Sequence, residues 1–545
     1  MLPDFLRNLP TVVRLWVTPN VRNFIDDRQP RLWVLAFLVG IAATIAAILF
    51  RELIGIVQYP WLQDTSERVI SAARNTPWYL IFCAPIVGGL VVGILLQILM
   101  PQRRTLSVAD VIEARALTGR KLGLRDGLNS ALITGISLGS GASAGREGPM
   151  IHLGATLANH VARRSELPEW CKRTLLGAGV AAAISASFNA PLAGVLFAHE
   201  VILGHFALRS FVPIVIASSG AAVISRVWFG ESAAFIVPGY QVTSYWEFPG
   251  FALLGLVCAI VAIAFQFSLF SADFLARKVT MPLWLRPVLG GIAIGGMGVF
   301  LPQILGVGYE ATDMALWGRL PLALMLILIV AKTLATAITL ASRFGGGVFS
   351  PALYLGAMTG GAYGIVAAGV FPELASSQAL YSILGMGAVA GAVLGAPIST
   401  TLIVFELTGG YTLSIALLLT VAIAHGVNQA IHGHSYFHWQ LEMRGLFVQA
   451  GPHRAVVSNA RVMDFMIPIG KDEEPEPFDP ESGQRSLQPT DTLDTALRTF
   501  DSGGHPRLPV VDEVGGTTII GWAEQVKALE YFNKRLIDAS EEEHR

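Results

Sequence analysis

The strongest constraint on this chain is a long succession of apolar runs between Arg31 and Ile431. The first, "RLWVLAFLVGIAATIAAILF", Arg31 to Phe50, supplies roughly the 20 residues that cross the hydrocarbon core of a bilayer. No small-residue cleavage site follows it, so it reads as a retained first span and not as a signal peptide. Only 14% of the 545 residues are charged, against roughly 25% in a soluble domain. An all-α polytopic membrane protein is therefore expected. The net charge of −1 identifies no partner, and nucleic acid is not expected. Cys83, Cys171 and Cys258 lie far apart and mostly in apolar runs, as buried reduced thiols would, with no disulfide framework and no metal-ligand spacing.

Many of the runs are rich in glycine and alanine, as where helices pack on helices instead of lipid. Several are too short, or too broken by Gly and Pro, to cross alone, and such segments are stable at membrane depth only when buried in protein or lining a polar cavity. Two motifs recur. "GPMIHLGA" around Pro149 and "SPALYLGA" around Pro351 are 202 residues apart, and "FNAPLAGVLFAHE" and "LGAPISTTLIVFE" place Glu200 and Glu406 nine residues after Pro191 and Pro397, 206 residues apart. Two homologous halves, about 31–240 and 247–445, are expected to build the membrane core, an arrangement that brings broken helices together near the bilayer midplane. Beyond Gly445 the composition changes. "GKDEEPEPFDPESGQRSLQPTD", Gly470 to Asp491, is a charged, Pro-rich linker. "TDTLDTALRTFDSGG" predicts a capped helix, "RLPVVDEVGGTTIIGW" strand, turn and strand, and "AEQVKALEYFNKRL" a closing helix, together a small α/β domain.

The candidate site follows from the first repeat. "GREGP", Gly145 to Pro149, and "GGGVFSP", Gly345 to Pro351, place glycines ahead of a proline and an apolar helix, a helix-start signature. A helix start has free N–H groups and about half a positive charge. Two of them aimed at one place make an anion site that needs no basic side chain. Glu147 on "GREGP" alone reads as a capping carboxylate; with the paired motif and the apolar setting it reads as a tethered competitor for the anion's seat. Arg146 reads first as the partner of another acid.

"GREGP", then "FNAPLAGVLFAHEV", then "GGGVFSP", in this order, resemble the CLC family of chloride channels and proton-chloride antiporters, over roughly Arg31 to Gly445. The resemblance implies the CLC fold of two inverted-repeat halves with broken helices in a domain spanning 31–445, between an N-terminal cytoplasmic segment, 1–30, and a cytoplasmic tail, 446–545. It implies a homodimer with one pore per subunit, Glu147 as the gate, and anion ligands at Arg146, Glu147, Gly148, Val348, Phe349 and Ser350. The family's Gly-Ser-Gly-Ile-Pro motif corresponds to "LSVAD", which retains only Ser107; read from the residues alone, Ser107 and Asp110 form a capping box. The family's inner tyrosine falls on "HGHSYFHWQ", at Phe437 by spacing to Gly445, or at the adjacent Tyr436.

Proton-coupled members often have two consecutive glutamates after "LAG-x-L-F". Here Glu200 is followed by Val201, which cannot relay a proton. The proton-pathway candidates are Glu147, Glu200 and His199, Glu200 having a structural reading through its repeat mate Glu406. The balance favours a chloride channel over proton exchange by another route. A transporter of a larger anion would need polar side chains that the motifs lack, and no second carboxylate, metal set or nucleophile pair stands by Glu147 to make an enzyme. The tail, from about Ala460 to Leu529, resembles a single CBS domain; "GWAEQVKAL" lacks the Ser or Thr and Asp of adenine-nucleotide sites, which argues against a nucleotide there. No cofactor is expected, chloride being the substrate. A bacterial inner membrane with cytoplasmic termini is the expected location.

Overall fold

The computed structural model describes residues 2–116, 122–230, 235, 242–408, 413–447, 456–469, 477–478, 485–512 and 518–544, with side chains from 13 to 537. The chain separates into one unit of residues 1–115 and 119–436 and another of 116–118 and 437–545. The described part of the first unit is helical. Helix α1 (Leu2–Asp26) precedes α2 (Gln29–Leu62), α3 (Val69–Ala73), α4 (Trp78–Leu99), α5 (Val108–Ala116), α6 (Leu124–Gly139), α7 (Glu147–Arg164), α8 (Glu169–Phe188), α9 (Pro191–Phe197) and α10 (Leu208–Phe229). The second half holds α11 (Phe248–Lys278), α12 (Leu285–Phe300), α13 (Tyr309–Leu316), α14 (Leu322–Ala341), α15 (Phe349–Val370), α16 (Gln378–Leu394), α17 (Pro397–Thr408) and α18 (Ser414–His432), and α19 (Tyr436–Glu442) follows.

Among the described residues seven helical stretches are long and apolar enough to cross a membrane: Gln29–Leu62, Trp78–Leu99, Leu208–Phe229, Tyr245–Lys278, Leu322–Ala341, Phe349–Val370 and Ser414–Glu442. Helix α2 outruns the apolar stretch by a full three turns; Arg51 at the end of that stretch pairs with Glu67 at 3.0 Å, an acid it shares with Arg146, and lies over the Phe229 ring. Large apolar side chains such as Ile45, Leu49 and Ile56 stay exposed along it, as lipid contact requires. Cys171 and Cys258 are buried free thiols, whereas Cys83 is exposed on α4 and departs from the expected burial; thiols on a lipid-facing helix lose nothing by exposure to hydrocarbon.

Small residues set the helix crossings. A Cβ on Gly154 of α7 would strike the carbonyl of Gly179 on α8, and one on Gly356 of α15 would strike the carbonyl of Gly385 on α16. Gly356 and Gly385 stand 202 and 206 residues after Gly154 and Gly179, so the second half repeats the packing as well as the motifs of the first.

In the second unit β1 (Ile467–Pro468), β3 (Ile519–Glu524) and β2 (Arg507–Val511) form an antiparallel sheet in the order β1-β3-β2. Helix α20 (Leu493–Gly503) is capped by the Thr492 hydroxyl and ends at Gly504, whose φ of 63° favours glycine. Leu493, Phe500, Leu508, Val510 and Ala523 are core residues there. The closing helix, α21 (Gln525–His544), begins later than the sequence suggests, since Ala523 and Glu524 pair with Leu508 and Arg507 in the sheet. Strand pairing and burial of Ala523 override the helical preference of Ala and Glu. Most of the linker after Gly470 and the turn at 513–517 lie outside the described residues.

Candidate functional site

The turns ahead of α7 and α15 are copies. Helices α6 and α14 end 202 residues apart, each at a serine, Ser140 and Ser342, and each is followed by a residue with positive φ, Gly141 at 97° and Arg343 at 71°. The copies then cross-link. The Ser143 N–H donates to the Thr339 hydroxyl at 3.2 Å, and the Gly345 N–H donates to the Ser137 hydroxyl at 2.9 Å. Ser143 and Gly345 are repeat mates, as are Ser137 and Thr339, so the two bonds are related by a local two-fold. On that axis Gly145 and Gly347 exchange N–H to carbonyl bonds, both at 2.7 Å. A Cβ on Gly347 would come within 3.1 Å of the Gly148 nitrogen, which is why glycine stands there. Two helix N-termini are thereby held side by side, Pro149 and Pro351 each third in its helix.

Arg146 and Glu147 break this symmetry, their mates being Val348 and Phe349. What the repeat does not need architecturally, it carries for another reason. The Glu147 side chain is completely buried. Its Oε1 accepts from the Tyr309 hydroxyl at 2.7 Å, and its Oε2 has no hydrogen-bond partner. Oε2 and the Ser350 nitrogen lie 2.8 and 3.0 Å from the point a Gly145 Cβ would take, so the free oxygen faces the start of α15. The first-turn N–H groups of α7 and α15 have no carbonyl of their own helix to bind. Arg146 spends its guanidinium on Glu67 and over the Tyr309 ring, 4.9 Å from its centroid, and its Nε is 3.9 Å from Glu147. The carboxylate is thus not closed into a tight ion pair. Val348, Phe349 and Ser350 are buried; the Phe349 ring packs on Phe188 and Phe197, and the Ser350 hydroxyl is unpartnered. Tyr309 carries no motif, and its sequence neighbourhood "GYEATD" gives no signal that could have found it.

Ser107 reaches the same neighbourhood through its segment, since Thr105 lies 3.0 Å from where a Gly345 Cβ would be. The capping box forms from its acid side: Asp110, held by Arg104 at 2.5 and 3.0 Å, accepts the Ser107 N–H at 2.8 Å. Tyr436 is buried against Phe270. Phe437 is buried too, and belongs to the other unit.

Glu200 and Glu406 are not gathered at this place. Glu200 accepts from the Ile398 and Ser399 N–H groups at 3.0 and 2.7 Å, at the start of α17. Glu406 accepts from Leu192 and Ala193 at 3.0 and 2.8 Å, at the start of α9. Each acid caps the other half's helix. His199, on a π-turn (Ala198–Leu203), bonds the His205 carbonyl at 2.8 Å and stacks on Phe206 and Phe211. No group of three or more potential metal ligands occurs among the described residues.

A family model described as voltage gated chloride channel matches residues 88–429. A protein of Ralstonia nicotianae named as a ClcB-like chloride channel is 31% identical over 389 residues, 71% of this chain and 90% of that one. The chloride channel protein CLC-e of Arabidopsis thaliana is 32% identical over 421 residues, 71% of this chain and 58% of that longer protein. Among solved structures, a slow cyanobacterial Cl−/H+ antiporter superposes with a TM-score of 0.69 at 23% identity, over 76% of this chain and 98% of its own, a likeness of fold.

Proposed function

Because the chain belongs to the voltage gated chloride channel family, we propose that it conducts chloride passively, through one pore in each subunit of a homodimer, with Glu147 as the gate. One observation carries this reading: a buried carboxylate oxygen without a partner faces the start of α15 beside the Gly145–Gly347 pair. A desolvated anion is stabilised by such unsatisfied N–H groups and helix dipoles, and the carboxylate holds that seat when chloride does not. Chloride enters when the side chain is protonated or swings out. Close backbone contacts at Gly145, Gly148 and Gly347 bring the two helix starts together without intervening side chains, which suits a small anion.

The passive mode is supported by Val201, which cannot exchange protons, and by Glu200, whose oxygens are engaged at the start of α17. Purified protein in liposomes, with chloride efflux and internal pH recorded together, tests it. Efflux that leaves the pH unchanged and reverses at the chloride potential is expected. Uphill proton movement driven by a chloride gradient would replace conduction with exchange.

A further inference from the structure

Away from the gate, four arginines converge on a cavity of 290 Å³. Arg103, Arg104, Arg286 and Arg343 line it, with Met281 and Leu283 as apolar wall. We propose that this cavity binds the phosphate of an anionic phospholipid headgroup.

Position is the first argument. Three membrane-length helices end at the cavity, α4 at Leu99, α11 at Lys278 and α14 at Ala341, so it lies where a bilayer's headgroups begin. Trp284, next to the apolar wall, is 42% exposed, as an interfacial tryptophan is. The gathering of arginine at this end marks the cytoplasmic side by the bias of Arg and Lys, and basic pockets between helices at that side suit anionic headgroups.

Charge and backbone are the second. Arg104 is committed to Asp110, and Asp273 is shared between Arg343 at 4.0 Å and Arg277 at 2.6 Å. Among the described residues Arg286 donates to the Val279 carbonyl at 3.0 Å, and Arg103 is exposed. The cavity keeps an excess of positive charge. Arg103 and Arg343 both have positive φ, 52° and 71°. The repeat mate of Arg343 is Gly141, which adopts such a backbone freely, whereas a side chain there is strained. The second half thus tolerates strain to place a guanidinium at this spot. Guanidinium matches phosphate in a bidentate fork, better than ammonium does. The volume is near the lower bound of small-molecule sites, roughly 300 Å³, and suits a headgroup.

The test uses the full chain in detergent at constant chloride. Its melting temperature is followed against dihexanoyl phosphatidylglycerol, dihexanoyl phosphatidylcholine, inorganic phosphate and extra sodium chloride. Phosphatidylglycerol is expected to raise it by a few degrees more than phosphatidylcholine, and Arg103→Gln with Arg286→Gln should abolish the difference. Equal shifts from both lipids, or an undiminished difference in the variant, would overturn the proposal. An equal, arginine-dependent rise with inorganic phosphate would overturn the lipid source and leave soluble phosphate as occupant; the same rise with sodium chloride would overturn phosphate altogether. If the double variant does not fold, native mass spectrometry of the wild-type protein decides, retained phosphatidylglycerol being the expected result and none the refuting one.

Discussion

The Tyr309 hydroxyl donates to Glu147 Oε1 at 2.7 Å across 162 residues of sequence, while the Arg146 guanidinium lies over the same tyrosine ring. The bond holds the carboxylate in its seat. Its loss in Tyr309→Phe costs about 1.5 kcal/mol, the lower range for a hydrogen bond to a charged group. At about 1.4 kcal/mol per tenfold change in an equilibrium, the carboxylate should hold its seat about tenfold less firmly, and chloride flux at a fixed external pH should rise. Flux in liposomes measures it, and an unchanged rate would remove Tyr309 from the gate.

Glu147→Gln keeps the shape of the side chain and removes its charge. The amide competes poorly for two helix N-termini, so transport should lose its dependence on external pH and run at the rate the wild type reaches in acid. A retained pH profile would assign the gate to another group.

Gly145→Ala puts a methyl group about 3 Å from both the free Glu147 oxygen and the Ser350 nitrogen. Chloride flux should fall, because the methyl group would take space between the carboxylate and the first turn of α15. Gly426→Ala on α18 is the control. A Cβ there meets nothing within 4 Å, and alanine favours a helix by up to about 1 kcal/mol, so flux should persist.

The fold was legible where one physical pattern dominates. Apolar runs, the helix starts at Pro149 and Pro351, and the repeated offsets are local signals, and each has its counterpart in α7, α15 and the crossing glycines. Long-range polar pairs were not legible. The apolar run stops at Phe50, yet α2 continues to Leu62, with Arg51 paired to Glu67 from beyond the helix. Tyr309 enters the site from the opposite half, and the Ser137 and Thr339 cross-links join residues with no motif of their own. In the tail, β1 is two residues long and offers no periodicity to read.

The exchanged caps of Glu200 and Glu406 yield the last expectation. Each carboxylate accepts two backbone N–H bonds at the first turn of the other half's helix, and Glu200 accepts the Ser399 hydroxyl as well, so the two acids share one architectural role. A carboxylate at a helix start, accepting charge-assisted bonds, is worth about 2 kcal/mol. Glu200→Gln and Glu406→Gln should each lower the melting temperature of the purified protein, Glu200→Gln the more for its added Ser399 bond, and leave chloride flux per folded molecule unchanged. The comparison separates architecture from proton handling, because a relay at Glu200 would alter proton movement and a cap would not. A variant at Glu200 that alters the proton movement accompanying chloride, beside a Glu406 variant that does not, would restore Glu200 to a proton route and count against passive conduction.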